Sequence, residues 1–331
     1  DSLPVLAAIL MKCVKPRKIS LLHQFVDGAH EEDVFFDWDY VSSYYKEIAK
    51  RLGLRYAYAY LDGGIREEIT KTDQISNNIV VVKPNGDVKR FGRPLAKPNT
   101  RNHFPQLSGS LATRWCSSML KIEPSNKFMR SMDLEFLGKK VAFYTGERRL
   151  ESSVRSHFSQ LELHSVDTVR ASKNPRINRY VDHYRPVLNK TEAEIWSMLE
   201  NFRFTTNQGE ELQGILPPPA YAILGRSSCA MCIFNSDRAF STLYSLKPER
   251  IEAVAEYEDQ FGITIARPKK GKAGLNVLQR AKLAEPLPFT DKEAVIQCFE
   301  KDFVLPIFTS DSDKKWTLPF GAFSTESCGA L

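Results

Sequence analysis

Apolar positions along the chain fall into two alternating periods. Leu3, Leu6, Ala7, Leu10 and Met11 recur three or four apart, which predicts an amphipathic helix from the first residues. Asp1 or Ser2 is placed to cap it, and Pro4 is tolerated in the first turn. Residues 19–26 predict a strand ending at Asp27-Gly28. Tyr44, Ile48 and Leu52 mark one face of a helix over 40–52, with Gly53 as its stop. Residues 54–61 alternate and are aromatic, a second strand, ending in Asp62-Gly63-Gly64 before a polar helix from Ile65. Strand–helix–strand–helix order implies α/β architecture, a doubly wound parallel sheet with helices on both faces.

Further along, residues 79–90 predict a hairpin around Asn85-Gly86, followed by a basic loop over 91–106 and a helix over 117–132. Val141 to Tyr144 form a short apolar run read as a buried strand, and Leu150, Val154 and His157-Phe158 then fall at helical spacing. Thr145-Gly146-Glu147-Arg148 is therefore a strand-to-helix turn, the kind of place where α/β sheets bind nucleotides. Gly146 lets backbone approach a ligand, and Arg148, Arg149 and Arg155 add positive charge for an anion. The alternative is an ordinary turn with a solvated basic face. Thr191 and Glu194 predict a capping box, with Ile195, Met198 and Leu199 facing inward. The three prolines at 217–219 break structure ahead of a segment carrying Cys229-Ala230-Met231-Cys232. Residues 241–260 read as a helix, 271–274 as a flexible turn and 316–331 as loop.

Composition adds little to this picture. With 42% hydrophobic and 26% charged residues among 331, the chain is of ordinary globular type. Its net charge of +6 suits an anionic small molecule or nucleic acid. The first apolar stretch is too short to span a membrane and has no basic leader, so no membrane partner and a cytoplasmic location are expected. Six cysteines do not make a secreted disulfide scaffold; Cys13, Cys116, Cys298 and Cys328 stand singly, and only Cys229 and Cys232 are close. That pair reads as a metal or redox site.

Five segments, in this order, carry a resemblance: Asp1-Ser2 opening a helix, Arg114-x-Cys116 with Lys121, Thr145-Gly146-Glu147-Arg148 with Glu151-Ser152 and Arg155, Arg185-Pro186-Val187 through Trp196, and Cys229-x-x-Cys232. Together they resemble the phosphoadenosine phosphosulfate (PAPS) reductase family of the adenine nucleotide alpha-hydrolase, or PP-loop, superfamily, over residues 1 to about 265. The resemblance implies a Rossmann-like fold whose first strand and phosphate-loop glycines precede Asp1, so that only the last two loop residues are present. It implies an adenine nucleotide, ATP or PAPS, held by Asp1, Ser2, Asp27, Gly28, Arg114, Lys121, Thr145, Gly146, Glu147, Arg148, Glu151 and Arg155. The expected division is a nucleotide-binding domain over 1–200 and an α-rich Cys-x-x-Cys region over 201–331.

The cysteines divide the readings. The family's reductases use a cysteine near the C-terminus; Thr325-Glu326-Ser327-Cys328-Gly329 is a partial likeness, with one residue between Glu and Cys and no histidine. Cys328 and Cys116 are thus the candidate nucleophiles. Cluster-bearing members hold a 4Fe–4S cluster on a Cys-Cys pair and a distant Cys-x-x-Cys; here Cys116, Cys229 and Cys232 stand in those places and Ser117 replaces the other cysteine. Zinc, wanting a fourth ligand, is the second metal reading, and three core thiols the third. Three functions follow: a PAPS-reductase-like oxidoreductase; an ATP-dependent iron–sulfur sulfurtransferase acting on nucleic acid, of the tRNA-thiolation or DNA-phosphorothioation type; or a non-catalytic nucleotide-binding subunit. The basic stretches 83–101 and 170–185 favour the nucleic-acid reading. Oligomeric state has no signature in the sequence.

Overall fold

Helix α1 (Ser2–Leu10) is apolar on more than the one face its spacing predicts. Leu3, Leu6, Ala7 and Leu10 enter the main hydrophobic cluster, while Val5 and Ile9 pack with Val187 and Ile195 in a second one. A helix buried on two sides acts as a tie between layers, each such side chain contributing about 1.5–3 kcal/mol. In the computed structural model, residues 2–12, 15–29, 34–170, 177–226, 228–267, 274–289 and 291–323 are described. Asp1, Cys13, Cys328 and most of the expected turn at 271–274 lie outside them, as does the Ser2 side chain.

The chain is α/β, with mixed sheets that contain parallel strands. Strand β1 (Ser20–Phe25) leads through α2 (Val41–Arg51) to β2 (Arg55–Leu61), and the two strands pair in parallel from Ser20↔Arg55 to Phe25↔Tyr60. Tyr44 and Ile48 of α2 are buried as their spacing predicts, and Gly53 follows the helix with positive φ. After α3 (Gly64–Thr70), the hairpin β3 (Ile79–Val82) and β4 (Val88–Phe91) adds antiparallel to β2, giving the order β1-β2-β3-β4. The parallel pair is the one expected; the antiparallel hairpin makes the sheet mixed.

The helix expected over 117–132 is a composite: α4 (Trp115–Ser117), a π-helical turn at Ser118–Ile122, and α5 (Glu123–Ser131). Pro124 has no N–H to give the preceding turn, and the wider π-turn absorbs the mismatch. Helix α6 (Asp133–Phe136) then leads to β5 (Lys140–Tyr144). Contrary to expectation, β5 is not buried: Lys140, Ala142 and Tyr144 are exposed, and only Val141 and Phe143 turn toward the core. The amphipathic helix expected after Gly146 is also absent. A 3₁₀ turn at Arg149–Glu151 is followed by the four-residue α7 (Ser153–Ser156), and Leu150 and Val154 are exposed. Ser152 is the reason: its backbone is extended and its hydroxyl accepts from Arg155 N, which restarts the helix one turn late.

Two strands that the sequence did not signal, β6 (Leu161–Leu163) and β7 (Tyr180–Tyr184), join β5 in a second sheet of order β5-β7-β6, with β5 and β7 parallel. Among the described residues β1 pairs only with β2, and β5 only with β7, so each sheet ends on a parallel strand. Helix α8 (Glu192–Glu200) carries both halves of the predicted Thr191–Glu194 capping box. The small hairpin β8 (Arg203–Thr205) and β9 (Glu211–Gln213) follows. The single helix expected over 241–260 is two, α9 (Asp237–Leu246) and α10 (Pro248–Phe261), because Lys247 before Pro248 leaves the helical region, at φ −144° and ψ 69°. Helices α11 (Val277–Ala281) and α12 (Lys292–Gln297) complete the chain. The main cluster runs from Leu3 to Phe308 and includes residues from both sides of position 200. Among the described residues no helix is long and apolar enough to cross a membrane.

The carboxyl ends of β1 and β2 meet at one backbone contact. Gly64, at φ +57°, packs so closely that a Cβ there would lie 2.2 Å from the Asp27 carbonyl carbon. Ile65 N also donates to Val26 O at 2.9 Å. Gly64→Ala should therefore destabilise by about 2 kcal/mol or more, clash adding to backbone strain. Gly86→Ala, at φ +89° with nothing within 4 Å of the added Cβ, should cost about 1 kcal/mol from strain alone. Urea unfolding of the two variants checks this; equal costs would contradict the close approach.

Candidate functional site

The β1 end is held by its own acid. Asp27 accepts from Phe36 N at 2.9 Å and from Asp37 N at 2.8 Å, so the 34–38 segment is drawn back over the strand end. That segment is braced from the other side. Met231 N donates to Phe36 O at 3.0 Å, Trp38 Nε1 to Ser228 O at 2.7 Å, and Arg250 Nη1 to Asp37 O at 2.9 Å. The Cys229–Cys232 turn is thereby seated beside Asp37. It closes on itself through Cys232 N donating to Cys229 O at 3.2 Å.

Lys121, on the π-helical turn, reaches into this place. Its Nζ lies 3.7 Å from Cys229 Sγ, and its charge also acts on Cys116, Cys232 and Asp37. The structure thus brings together Cys116, Lys121, Cys229 and Cys232, four residues expected from the sequence, together with Asp37, which was not. Lys121 is exposed as a residue although its ammonium end is desolvated, and Asp27, Asp37, Cys116 and Cys232 are half-buried, so the recess they form lies at the edge of the core. Cys116, Cys229 and Cys232 are free thiols. Asp37 had a faint signal: an acid set among Phe35, Phe36, Trp38 and Tyr40, where a polar side chain needs a reason.

Charge in the recess is mutually adjusted. The facing Cys229 sulfur raises the Lys121 pKa against the effect of burial, and Cys116 and Asp37 add to the rise. Burial, with Asp37, pushes the Cys229 thiol well above its ordinary value while Lys121 pulls it back. Burial raises Cys116 as well, opposed by Lys121 and Arg114. Asp37 is raised by burial, with Lys121 the main opposing charge. Arg114 stands over the Phe234 ring at 5.7 Å, and its buried Nε has no hydrogen-bond partner among the described residues. That N–H lacks the acceptor a buried donor ordinarily has.

Three soft thiols suit iron–sulfur or zinc by chemistry. Yet among the described residues no three His, Cys, Asp or Glu side chains stand as a ligand set, and the Lys121 ammonium faces Cys229. The residues as placed do not fit a resident cluster.

The 145–155 segment forms a second, separate group. Arg185, 3% exposed, donates to Glu147 Oε2 at 2.5 Å and to Glu162 Oε1 at 2.7 Å. Thr145 Oγ1 lies 2.9 Å from Glu147 Oε2 and 2.7 Å from His183 Nε2. Arg185 Nη2 faces His183 Nδ1 at 3.1 Å, so Nδ1 accepts and the ring carries its proton on Nε2, donating to Thr145. Burial, then the Arg185 charge, lowers the His183 pKa and keeps that ring neutral. Arg148 and Arg155, expected to face an anion, both pair with Glu151. Among the described residues no hydrogen bond or ion pair links Thr145, Glu147, Arg148, Glu151 or Arg155 to the thiol recess. Gly28, buried with φ +94°, sits under the Gly64 contact. The basic stretches are similarly engaged: Arg90 with Asp62, Arg93 with Glu123, Arg101 with Glu68, Arg170 with Asp167 and Asp182, and Arg179 with Asp133.

Comparison with known proteins returns no match: no family model, no curated protein and no solved structure.

Burial and the Asp37 carboxylate push Asp27 up to about 7. A carboxyl raised in the folded state contributes stability that is fully present below its unfolded pKa, about 4, and is lost as pH rises through about 7. Glu258, also raised to about 7, mainly by burial, acts with the same sign. The Asp27→Asn variant removes the first contribution only. Its Tm relative to the unsubstituted protein should improve steadily from about pH 4 to pH 8; a difference independent of pH would contradict a raised Asp27.

Proposed function

We propose that this protein is an enzyme of the PAPS-reductase type, which binds an adenylyl sulfate and moves its sulfur onto recess thiols. The observation that carries the reading is the meeting of Cys116 with Cys229 and Cys232, more than a hundred residues on, around the Lys121 ammonium. An adenylyl sulfate is an anion, and Arg114 Nε and Lys121 are the donors that the recess offers it. Asp27 and Gly28, at the carboxyl end of β1, border the same place, where α/β sheets take nucleotides.

The chemistry is a pair of thiol displacements. The Cys116 thiolate attacks sulfate sulfur; the S–S bond forms, the bond from sulfur to the bridging phosphate oxygen breaks, and its electron pair leaves with the nucleotide. Arg114 and Lys121, which oppose the burial of the Cys116 charge, are the groups that favour the attacking thiolate. A second thiolate, from Cys229 or Cys232, then attacks Cys116 sulfur, forming a protein disulfide and expelling sulfite. The two electrons come from the thiols, and an external dithiol restores them. Cys328, outside the described residues, is the competing nucleophile.

The second reading, the ATP-dependent iron–sulfur sulfurtransferase acting on nucleic acid, has soft thiols of the right type, but among the described residues they do not stand as a ligand set. Phosphates meeting Arg90, Arg93 or Arg101 would have to displace Asp62, Glu123 and Glu68.

Anaerobically purified protein given PAPS and a dithiol should release sulfite. Cys116→Ser should abolish the release, Lys121→Met should slow it about a hundredfold, and Cys328→Ser should leave it within about twofold. Iron and acid-labile sulfide measured on the same sample should be absent. About four irons per chain, lost in the Cys229→Ala/Cys232→Ala variant, would move the assignment to the second reading.

A further inference from the structure

Below the carboxyl end of β2, on the side of the β3–β4 hairpin, lies a groove of two chambers that neither the thiol recess nor the 145–155 group uses. The outer chamber, about 690 Å³, is bordered by Asp62, Asn77, Asn78 and Arg93. The inner, about 190 Å³, is bordered by Glu68 and Lys71 and shares Asp62, Glu67, Ile75 and Asn77 with the outer one. The outer volume is that of a small-molecule site.

Glu68 is the telling residue. It is 2% exposed, and its two oxygens are treated unequally. Oε1 accepts from Arg101 Nε at 2.6 Å, from Lys71 Nζ at 2.9 Å and from Ser76 Oγ at 3.1 Å. Oε2 is buried with no hydrogen-bond partner among the described residues. A buried carboxylate oxygen left without a donor is costly, and Glu68 borders the inner chamber, the nearest place from which a donor can come.

The charge balance says what kind of donor. Glu68 is matched by Lys71 and Arg101, Asp62 by Arg90, and Glu123 by Arg93. Glu67 is held by the Asn77 amide. The groove is bordered by Asp62, Glu67 and Glu68 against Lys71 and Arg93, and Arg90, Arg101 and Glu123 just outside it bring the balance to neutral, so the groove has no net charge to offer an ion. Its free chemistry is amide and carboxylate, which suits a neutral group that both donates and accepts. Adjacent hydroxyls do so, one giving its proton to Glu68 while its neighbour meets an asparagine amide.

We propose that this groove binds a vicinal diol, the hydroxyl edge of a sugar ring, with Glu68 Oε2 as its buried acceptor. The diol belongs either to a free sugar or to the ribose of a nucleoside.

Saturation-transfer NMR with D-ribose, adenosine and 2′,3′-dideoxyadenosine tests this. Ring protons of ribose and adenosine should take up saturation, and the dideoxy compound should do so about tenfold less. Ile75→Trp, at an exposed position between the chambers and outside the ion network, should abolish the transfer, and Glu68→Gln should weaken it about tenfold. Adenosine binding about tenfold more tightly than ribose identifies a nucleoside source; equal binding identifies a free sugar. No transfer to either, or transfer unchanged in Ile75→Trp, would overturn the proposal. Sulfite release is read separately, so failure of one assignment does not carry the other with it.

Discussion

One charge organises the thiol recess: the Lys121 ammonium, 3.7 Å from Cys229 Sγ. Three thiols and the Asp37 carboxylate share a partly desolvated space, where negative charge is expensive without a counter-ion. Lys121 supplies it: the residue as a whole is exposed, but its ammonium end is desolvated against the thiols. The π-helical turn has a part in that placement, since the extra backbone it takes up around Pro124 sets where Lys121 emerges.

The backbone around the recess is fixed by polar contacts from three directions. Asp27 pulls the 34–38 segment onto the strand end, the Cys229–Cys232 turn bonds to that segment through Phe36 and Trp38, and Arg250 of α10 ties it to the C-terminal helices. Residues early and late in the chain therefore form one wall, in keeping with a hydrophobic cluster that takes in both. The 145–155 group, by contrast, satisfies its own charges. Arg185 is matched by Glu147 and Glu162, and Arg148 and Arg155 by Glu151, so each cation must leave a carboxylate before it can meet a phosphate.

Much of the first half was legible because its elements bury one face at a clean period. The α2 spacing of Tyr44 and Ile48, the alternation in β2 and the Asn85-Gly86 hairpin all formed as read. The sequence misled where local spacing met no core. Leu150 and Val154 have helical spacing, yet both are exposed because Ser152 interrupts the helix. Strands β6 and β7 were hidden in segments whose charge dominated their pattern: Glu162 of β6 pairs with Arg185 and lies beside His183, and Asp182 pairs with Arg170. Of the site, the cysteines and Lys121 were legible as types at spacings. Asp37 and Glu68 were not, since their importance lies in burial and in the partners they have or lack.

The central claim is that Lys121 governs the ionisation of the recess thiols, and alkylation of each cysteine as a function of pH, followed by mass spectrometry, measures it directly. In Lys121→Met the alkylation profiles of Cys116 and Cys229 should move to higher pH, because the charge that opposes their burial is gone, while Cys298, buried elsewhere, should be unchanged. Profiles of Cys116 and Cys229 that do not move, or that move together with Cys298, would contradict it.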